Sequence, residues 1–537
     1  MGFSTILSAC MQGLEVKLVH IEADISNGLP VFHMVGYLAT EVKEASERVR
    51  TALKNSGMTL PTKKIVINFA PVNVRKRGAA FDLPMAVALL ASFEEVLADK
   101  IAKTLFLGEL SLDGRVRGIA GVLPIINEAK RQGCTACVIP KANEEEGRIV
   151  DGITIIAVSH LKEVYAYLKG ETHKEEEENE IRKKLQKGEQ KGEIQKEEEK
   201  KRKQRAEIQN QKNRKRLDFA EVKGQELLKR ATEVAVAGNH NILFIGPPGT
   251  GKTMIAKRIP SILPLLTREE SIEISNVYSV MGLLNQAEPL LNERPFRSVH
   301  HTITRPALVG GGNVPLPGEL SLASGGVLFL DELGEFRKEV LEVLRQPLEE
   351  KEIKITRTLG KYTFPANIML VAAMNPCPCG NYPDYNKCIC TDGQMKAYLG
   401  RISQPLLDRI DLCVEAPRIE FETLQKEVVA ESSAMIRERV LVAREVQKRR
   451  YKEITANTND ELSVANIEQY CDLNQESREL MKIAYQKLKL TARTYYKILK
   501  VARTIADLEE TKEIKIYHLK EAMSYRMIDK KYWGNIR

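Results

Sequence analysis

The chain has 537 residues, 43% of them hydrophobic and 28% charged, which is too long for one hydrophobic core and describes a globular protein of roughly two to four domains. No stretch approaches the roughly twenty consecutive apolar residues that cross a bilayer, which argues against a membrane-spanning protein. A net charge of +9 permits contact with nucleic acid without requiring it.

The N-terminus, Met1-Gly-Phe-Ser-Thr-Ile6, lacks the basic flank of a secretion signal. Gly2 opens a myristoylation pattern, but Ile6 stands where that pattern needs Ser or Thr. Nine cysteines without an even framework of spacings argue against a secreted disulfide scaffold, so a cytoplasmic location is expected. Strand-like runs at 16–21, 64–68, 136–139 and 153–157 alternate with helical spacing at 41–55 and 83–97. They predict a separate α+β domain over 1–170, without facing carboxylates or a Ser/His/Asp constellation. Cys134 and Cys137 have redox or metal spacing, yet they run into the apolar Val138 and Ile139 and read as core cysteines.

Residues 171–216 are almost entirely Lys, Arg, Glu and Gln. Such a segment cannot bury enough surface to offset its ordering entropy. It reads as a linker, either disordered or a solvated helix laced with ion pairs, whose basic end could touch DNA.

Next comes Gly246-Pro-Pro-Gly-Thr-Gly-Lys252-Thr253, between an apolar strand-like run at 241–245 and a helical start at Met254. Strand, glycine-rich turn and helix in that order make a phosphate-binding loop. Gly246, Gly249 and Gly251 let the backbone wrap a polyphosphate, with Pro247, Pro248 and Thr250 completing the cradle. Lys252 is placed to reach the β- and γ-phosphates of ATP, and Thr253 to offer a hydroxyl to Mg²⁺. A second apolar run, Val327-Leu-Phe-Leu330, ends in Asp331 and Glu332. There the first acid suits Mg²⁺ and the second suits the attacking water, so nucleotide hydrolysis is expected.

Between the two motifs, Gly310-Gly-Gly312 with Pro306, Pro315 and Pro317 is too irregular for one crossover helix, so an insertion interrupts the core. Alternating runs at 352–356 and 361–364 around Gly360 predict a β-hairpin just before a strand at 368–372. With another strand at 412–416, the core is expected over 217–420. Helical periodicity at 422–451 and 464–524 predicts an α-helical lid over 421–537.

Cys377-Pro-Cys379 and Cys388-Ile-Cys390 are two Cys-x-Cys pairs joined by a short loop. Four thiolates this close suit a structural Zn²⁺, although the spacing inside each pair is tighter than the common two to four residues. The other reading is four reduced cysteines on a loop.

These pieces together resemble the magnesium-chelatase-like AAA+ ATPases of the ComM/YifB family, along nearly the whole chain. The two motifs match its Walker pair, and Asn375 resembles the sensor-1 residue. Pro405-Leu-Leu-Asp-Arg409-Ile-Asp411 resembles the arginine-finger segment of MCM helicases and magnesium-chelatase ATPase subunits. Thr491-Ala-Arg493 resembles the sensor-2 helix. His300-His-Thr, Pro317-Gly-Glu-Leu-Ser-Leu-Ala323 and Leu107-Gly-Glu-Leu-Ser-Leu-Asp-Gly114 are specific to the family.

The resemblance implies an α/β fold with an AAA+ P-loop three-layer core and α-helical lid, preceded by a Lon-protease-like α+β domain. At the position of Lon's nucleophilic serine stands Ala80, so no proteolysis is expected. It further implies Arg409 acting in trans on a neighbour's nucleotide and Arg493 approaching the phosphates from the lid. The implied whole is a homo-hexameric motor on single-stranded or branched DNA, with recombination proteins as partners. Lys354, Arg357 and Lys361 on the hairpin suit a phosphate backbone in a pore. A chelatase-type remodeller working on a partner protein is the competing expectation.

Overall fold

The computed structural model describes residues 2–94, 96–171, 217–285, 287–357, 360–382, 384, 386–419, 421–422 and 430–534. Apart from Glu171, the charged linker therefore lies outside the described residues. The chain forms two compact units, one of residues 1–211 with 271–291, the other of 212–270 with 292–537.

The first unit is built on a seven-stranded mixed sheet. Its order is Phe32–Val35, Lys64–Ala70, Glu15–Ser26, Phe3–Gln12, Thr104–Phe106, Ala136–Pro140 and Thr154–Val158. Along Glu15–Ser26, Val19, Ile21, Ala23 and Ile25 enter one apolar cluster while Val16 and Leu18 enter another. That alternation is the strand period of two, so both sheet faces are covered. The first cluster takes the helices Ala45–Asn55 and Asp82–Phe93, and the second takes Val122–Arg131. Phe3–Gln12 pairs antiparallel with Glu15–Ser26 through ten residue pairs, a strand the sequence reading did not pick out. The helical run expected at 83–97 ends at Phe93. Cys134 and Cys137 are buried in the core, as their context suggested.

The expected position of Lon's serine lies in the short 3-10 turn Ala79–Phe81. Lys76 nearby is fully buried and donates to the Pro71 carbonyl oxygen. With Ala80 in place there is no hydroxyl for any lysine to activate.

Residues 271–291 were expected within the ATPase core, and they pack with the first unit instead. Gly121 N donates to Ser279 O at 3.0 Å, and Ser279 Oγ bonds the buried Glu146. Leu291 N returns to Ser275 Oγ at 3.0 Å, closing the excursion on itself. The physical reason is burial: Ile274 and Val277 of the helix Arg268–Val280 are both covered.

The second unit carries a five-stranded parallel sheet in the order Phe296–Val299, Val327–Leu330, Met369–Met374, Ile242–Ile245, Leu412–Glu415. The inner strands Val327–Leu330, Met369–Met374 and Ile242–Ile245 are apolar and buried throughout, as a parallel sheet covered on both faces requires, whereas the edge strand Phe296–Val299 carries Arg297 and the exposed Ser298. Glu226–Gly238, Ser433–Arg450 and Ala492–Leu508 share one core with the sheet. The helical C-terminal region continues through Val464–Tyr470, Gln475–Lys487 and Ile516–Trp533.

Candidate functional site

The strand Ile242–Ile245, between Met369–Met374 and Leu412–Glu415, runs into the glycine-rich loop at its carboxyl end. Gly249 and Gly251 sit at φ +79° and +85°, the left-handed region that favours glycine, and neither has an atom within 4 Å of where a Cβ would stand. The loop is thus both turned and left open. Gly246 is tighter: a Cβ there would meet Ala416 O at 2.3 Å.

Lys252 opens the helix Lys252–Ala256 and folds back over the loop. Its Nζ donates to Gly246 O at 2.7 Å and Pro247 O at 2.8 Å, and lies 3.4 Å from Asn375 Oδ1. Burial lowers the Lys252 ammonium to about 8, against the pull of Asp331. A polyphosphate would supply the negative charge that this ammonium lacks. Thr253 Oγ1 donates to Asp331 Oδ2 at 2.9 Å, so the hydroxyl and carboxylate expected to share Mg²⁺ face each other. Pro247 O accepts from Thr250 Oγ1 at 2.9 Å, which stiffens the loop tip.

Asp331 and Glu332 follow Val327–Leu330, whose neighbour in the sheet is Phe296–Val299, with Val299 opposite Leu330. That register carries the residues after Val299 to the same edge. His301 Nδ1 lies 3.3 Å from Glu332 Oε2, without hydrogen-bond alignment. Glu332 itself has φ +54°, an uncommon conformation for a side-chain-bearing residue. His301 was missed as a site residue; His300-His-Thr was noted only as a family segment. Parallel pairing of the two strands was the signal that could have found it.

Arg409 and Arg493 form a second group. Arg409 Nε donates to Arg345 O and one terminal nitrogen to Pro405 O, both at 2.7 Å, while its other terminal nitrogen pairs with Glu349. Arg493 donates to the same carboxylate at 2.8 Å. Arg493, expected to approach the phosphates from the lid, here meets Glu349 instead of the phosphate loop of its own chain. The first turn of Ala492–Leu508 brings it to Glu349 beside Arg409, and the two border one cavity of about 890 Å³ with Lys497 and Lys500.

The hairpin forms as Glu352–Arg357 paired with Gly360–Pro365. Lys354 is not a free cation, because it lies 2.6 Å from Glu352 and 3.3 Å from Glu350. Arg357 and Lys361 are exposed near the tip, whose Thr358 and Leu359 lie outside the described residues. A smaller hairpin, Gly310–Gly311 with Leu316–Pro317, arises from the irregular insertion. One groove of about 1360 Å³ is bordered by Gly310, by Ile353 to Arg357 and by Arg409.

The four cysteines of the loop after Asn375 do converge, with all ligand sulfurs within 4.8 Å of one another. Cys377 and Cys379 are 3.4 Å apart, Cys377 and Cys388 3.8 Å, Cys379 and Cys388 3.7 Å. Tetrahedral zinc with Zn–S bonds of about 2.3 Å sets sulfurs about 3.8 Å apart, so the donor set fits that ion. Tyr382 N also donates to Cys377 Sγ at 3.4 Å.

A parallel sheet with a phosphate loop on an interior strand, an acidic pair on the next strand but one, and a helical C-terminal region define a P-loop ATPase of the AAA+ class. Residues 218–424 match the family described as magnesium chelatase, subunit ChlI; residues 21–143 match subunit ChlI of Mg-chelatase, and 430–526 its C-terminal part. The chain is 40% identical over 534 residues to the uncharacterized protein YifB of Escherichia coli (strain K12), covering 99% of this chain and 98% of that one. It is 41% identical over 529 residues to the competence protein ComM of Haemophilus influenzae, covering 98% of each. A shorter likeness, 36% over 124 residues, covers 23% of this chain and 22% of Lon protease 2 of Bacillus subtilis. The chain belongs to the magnesium-chelatase-like ComM/YifB family of AAA+ proteins. That family implies ATPase activity with ATP and Mg²⁺ as ligands. Among the described residues no helix is long and apolar enough to cross a membrane.

Proposed function

We propose that this protein is an ATP-driven motor on DNA that works as a homo-hexameric ring, carrying out branch migration or unwinding in recombination and natural transformation. The observation that carries the ring is the division of catalytic groups. Lys252, Thr253, Asp331, Glu332 and Asn375 converge on one loop, while Arg409 and Arg493 meet on Glu349. Neither group is a whole site for phosphoryl transfer, and a neighbouring copy presenting its arginines would complete it.

In that ring, residues 246–253 wrap the polyphosphate and Thr253 with Asp331 hold Mg²⁺. Mg²⁺ held there would supply positive charge to offset the negative charge developing on the phosphates. Glu332 accepts a proton from the attacking water, with His301 beside it, and Asn375 orients that water or the γ-phosphate. Arg409 and Arg493 of the adjacent subunit spread charge over the transferring group through their planar forks.

DNA is supported by the exposed Arg357 and Lys361 on the hairpin and by the likeness to a competence protein. Recombination proteins are the partners such a motor would meet, in the cytoplasm. Zinc at Cys377, Cys379, Cys388 and Cys390 is supported by the sulfur spacing. We retain the division into 1–170, a linker at 171–216, a core at 217–420 and a lid at 421–537, with the segment 271–291 reassigned. The second reading, an ATP-driven remodeller of a partner protein without DNA translocation, is favoured by the three matches to magnesium-chelatase subunit ChlI.

ATPase activity measured with no DNA, single-stranded, duplex and forked DNA separates the readings. Stimulation by forked or branched DNA is expected. Intact basal hydrolysis and ring assembly without stimulation by any DNA would favour the remodeller.

A further inference from the structure

The cysteine loop does more than follow the Asn375 strand: it lies against the phosphate loop. Gly380 N closes a turn onto Cys377 O at 3.0 Å, and Gly380 has φ +80°. A Cβ on Gly380 would stand 2.6 Å from Pro248 Cδ, so the turn's backbone rests directly on that proline ring. A second path runs around the same loop. Asn381 Oδ1 accepts from Arg418 at 3.1 Å, and the adjoining Pro417 O accepts from Gln225 Nε2 at 2.7 Å. The same Gln225 nitrogen lies 3.0 Å from Thr250 O. A third contact sets the Tyr382 ring 5.9 Å from Tyr532, whose hydroxyl donates to Glu415 at 2.9 Å, at the end of the strand beside Ile242–Ile245.

Two residues of the phosphate cradle, Pro248 and Thr250, are thus tied to one short loop. Thiols bond each other weakly, so four reduced cysteines give this loop little stiffness. A metal ion cross-linking all four fixes it. Backbone N–H groups bind phosphate well only when they are held in place beforehand.

We propose that a metal ion held by Cys377, Cys379, Cys388 and Cys390 braces the phosphate loop through the Gly380–Pro248 contact, so that occupancy of the metal site sets nucleotide affinity. The inference rests on the zinc reading above and extends it from a structural staple to control of the ATP site.

The test uses the full chain as purified. Zinc content is measured by elemental analysis, and affinity for a fluorescent ATP analogue is titrated in Mg²⁺ before zinc removal, after it, and after zinc is restored. Affinity is expected to fall at least about tenfold on removal and to return with zinc, the scale on which groups supporting a metal site act. Gly380→Ala supplies the arm that does not depend on stripping. It is expected to keep its zinc, since no ligand changes, and still bind nucleotide about tenfold more weakly because its methyl displaces Pro248. Metal-free protein of unchanged circular dichroism that binds nucleotide as tightly as the loaded form overturns the brace and leaves the zinc site standing. If stripping unfolds the chain, Gly380→Ala decides: zinc retained with unaltered affinity overturns the proposal. Purified protein without zinc, prepared without chelator, overturns both the brace and the zinc reading.

Discussion

Because Arg493 shares Glu349 with Arg409, the two arginines should serve the same nucleotide, the one bound by the neighbouring subunit. Mixed rings test this arithmetically. In a random one-to-one mixture of Lys252→Ala and Arg493→Ala chains, a working interface needs an Arg493→Ala subunit supplying the phosphate loop and a Lys252→Ala subunit supplying the arginines. Each choice has a probability of about one half, so about a quarter of the interfaces are complete in a head-to-tail ring. Each parent alone should be depressed by about 10³-fold or more if the arginine acts on the transferring phosphoryl group. Steady-state ATPase of the mixture should then reach about a quarter of the wild-type rate if interfaces act independently. Arg409→Ala mixed with Lys252→Ala should behave the same way. The decisive mixture is Arg409→Ala with Arg493→Ala: if both arginines act across the interface, every neighbour lacks one of them and no activity returns. The reasoning is refuted if that mixture recovers a quarter of the activity while Lys252→Ala with Arg493→Ala recovers none, ring assembly having been confirmed in both. That pattern would return Arg493 to the nucleotide of its own chain.

Lys252→Ala should abolish nucleotide binding, whereas Glu332→Gln should leave binding intact and slow turnover about a hundredfold or more; a binding titration beside an ATPase assay checks both, and undiminished hydrolysis by Glu332→Gln would remove it as the base. Replacing Arg357 and Lys361 with alanine should weaken single-stranded DNA binding and flatten the dependence of log affinity on log salt by about 1.4 per engaged subunit, while Lys354→Ala, already matched by Glu350 and Glu352, should change the slope far less. Equal effects of Lys354 and the tip cations would contradict that assignment. His240 is fully buried with Nε2 2.7 Å from Thr504 Oγ1, and burial holds its pKa at about 4. A base depressed in the fold stabilises above its unfolded value of about 6.5 and loses that contribution as pH falls toward 4, up to about 3 kcal/mol. The ATPase unit should therefore be acid-labile in that window, and urea titrations at pH 7 and 5 should show His240→Gln with a smaller drop than the parent.

Local chemistry was legible where a few adjacent residues carry it. The phosphate loop, the acidic strand end and the hairpin each announce themselves through glycine spacing, an apolar run or alternation. All three formed within a residue or two of the expected bounds. The expectation that the Lon-like domain lacks serine chemistry rested on a single side chain, Ala80. What escaped was set by pairing between distant segments. Phe3–Gln12 buries Ser4, Ile6, Ser8 and Cys10 on one face, and the two serines there hide the apolar alternation, so its ten-pair ladder with Glu15–Ser26 is what marks it as a strand. His301 reaches Glu332 through the register of two parallel strands, and nothing near either residue in the chain encodes that meeting.

Arg493 shows the same limit from the other side. Its motif identifies a sensor helix, but the direction in which that helix presents its first turn depends on how Ala492–Leu508 packs against Glu226–Gly238 and Ser433–Arg450. Packing there directs the arginine to Glu349, away from the bonds that gather Lys252, Asp331 and Asn375. If the two arginines belong to the hydrolytic site, as proposed, a chain built this way withholds part of that site from its own nucleotide. In the proposed ring, hydrolysis would wait on the position of a neighbour, and Glu349, which would stand at that contact, directly precedes Glu350 and the hairpin at Glu352–Arg357. Arg409 borders the hairpin groove as well as the Glu349 pair, so in the proposed ring a shift at the subunit interface would reach the hairpin without any change in the phosphate loop. That short mechanical path is what a translocating ring requires, since each hydrolysis event must move the element that holds the strand.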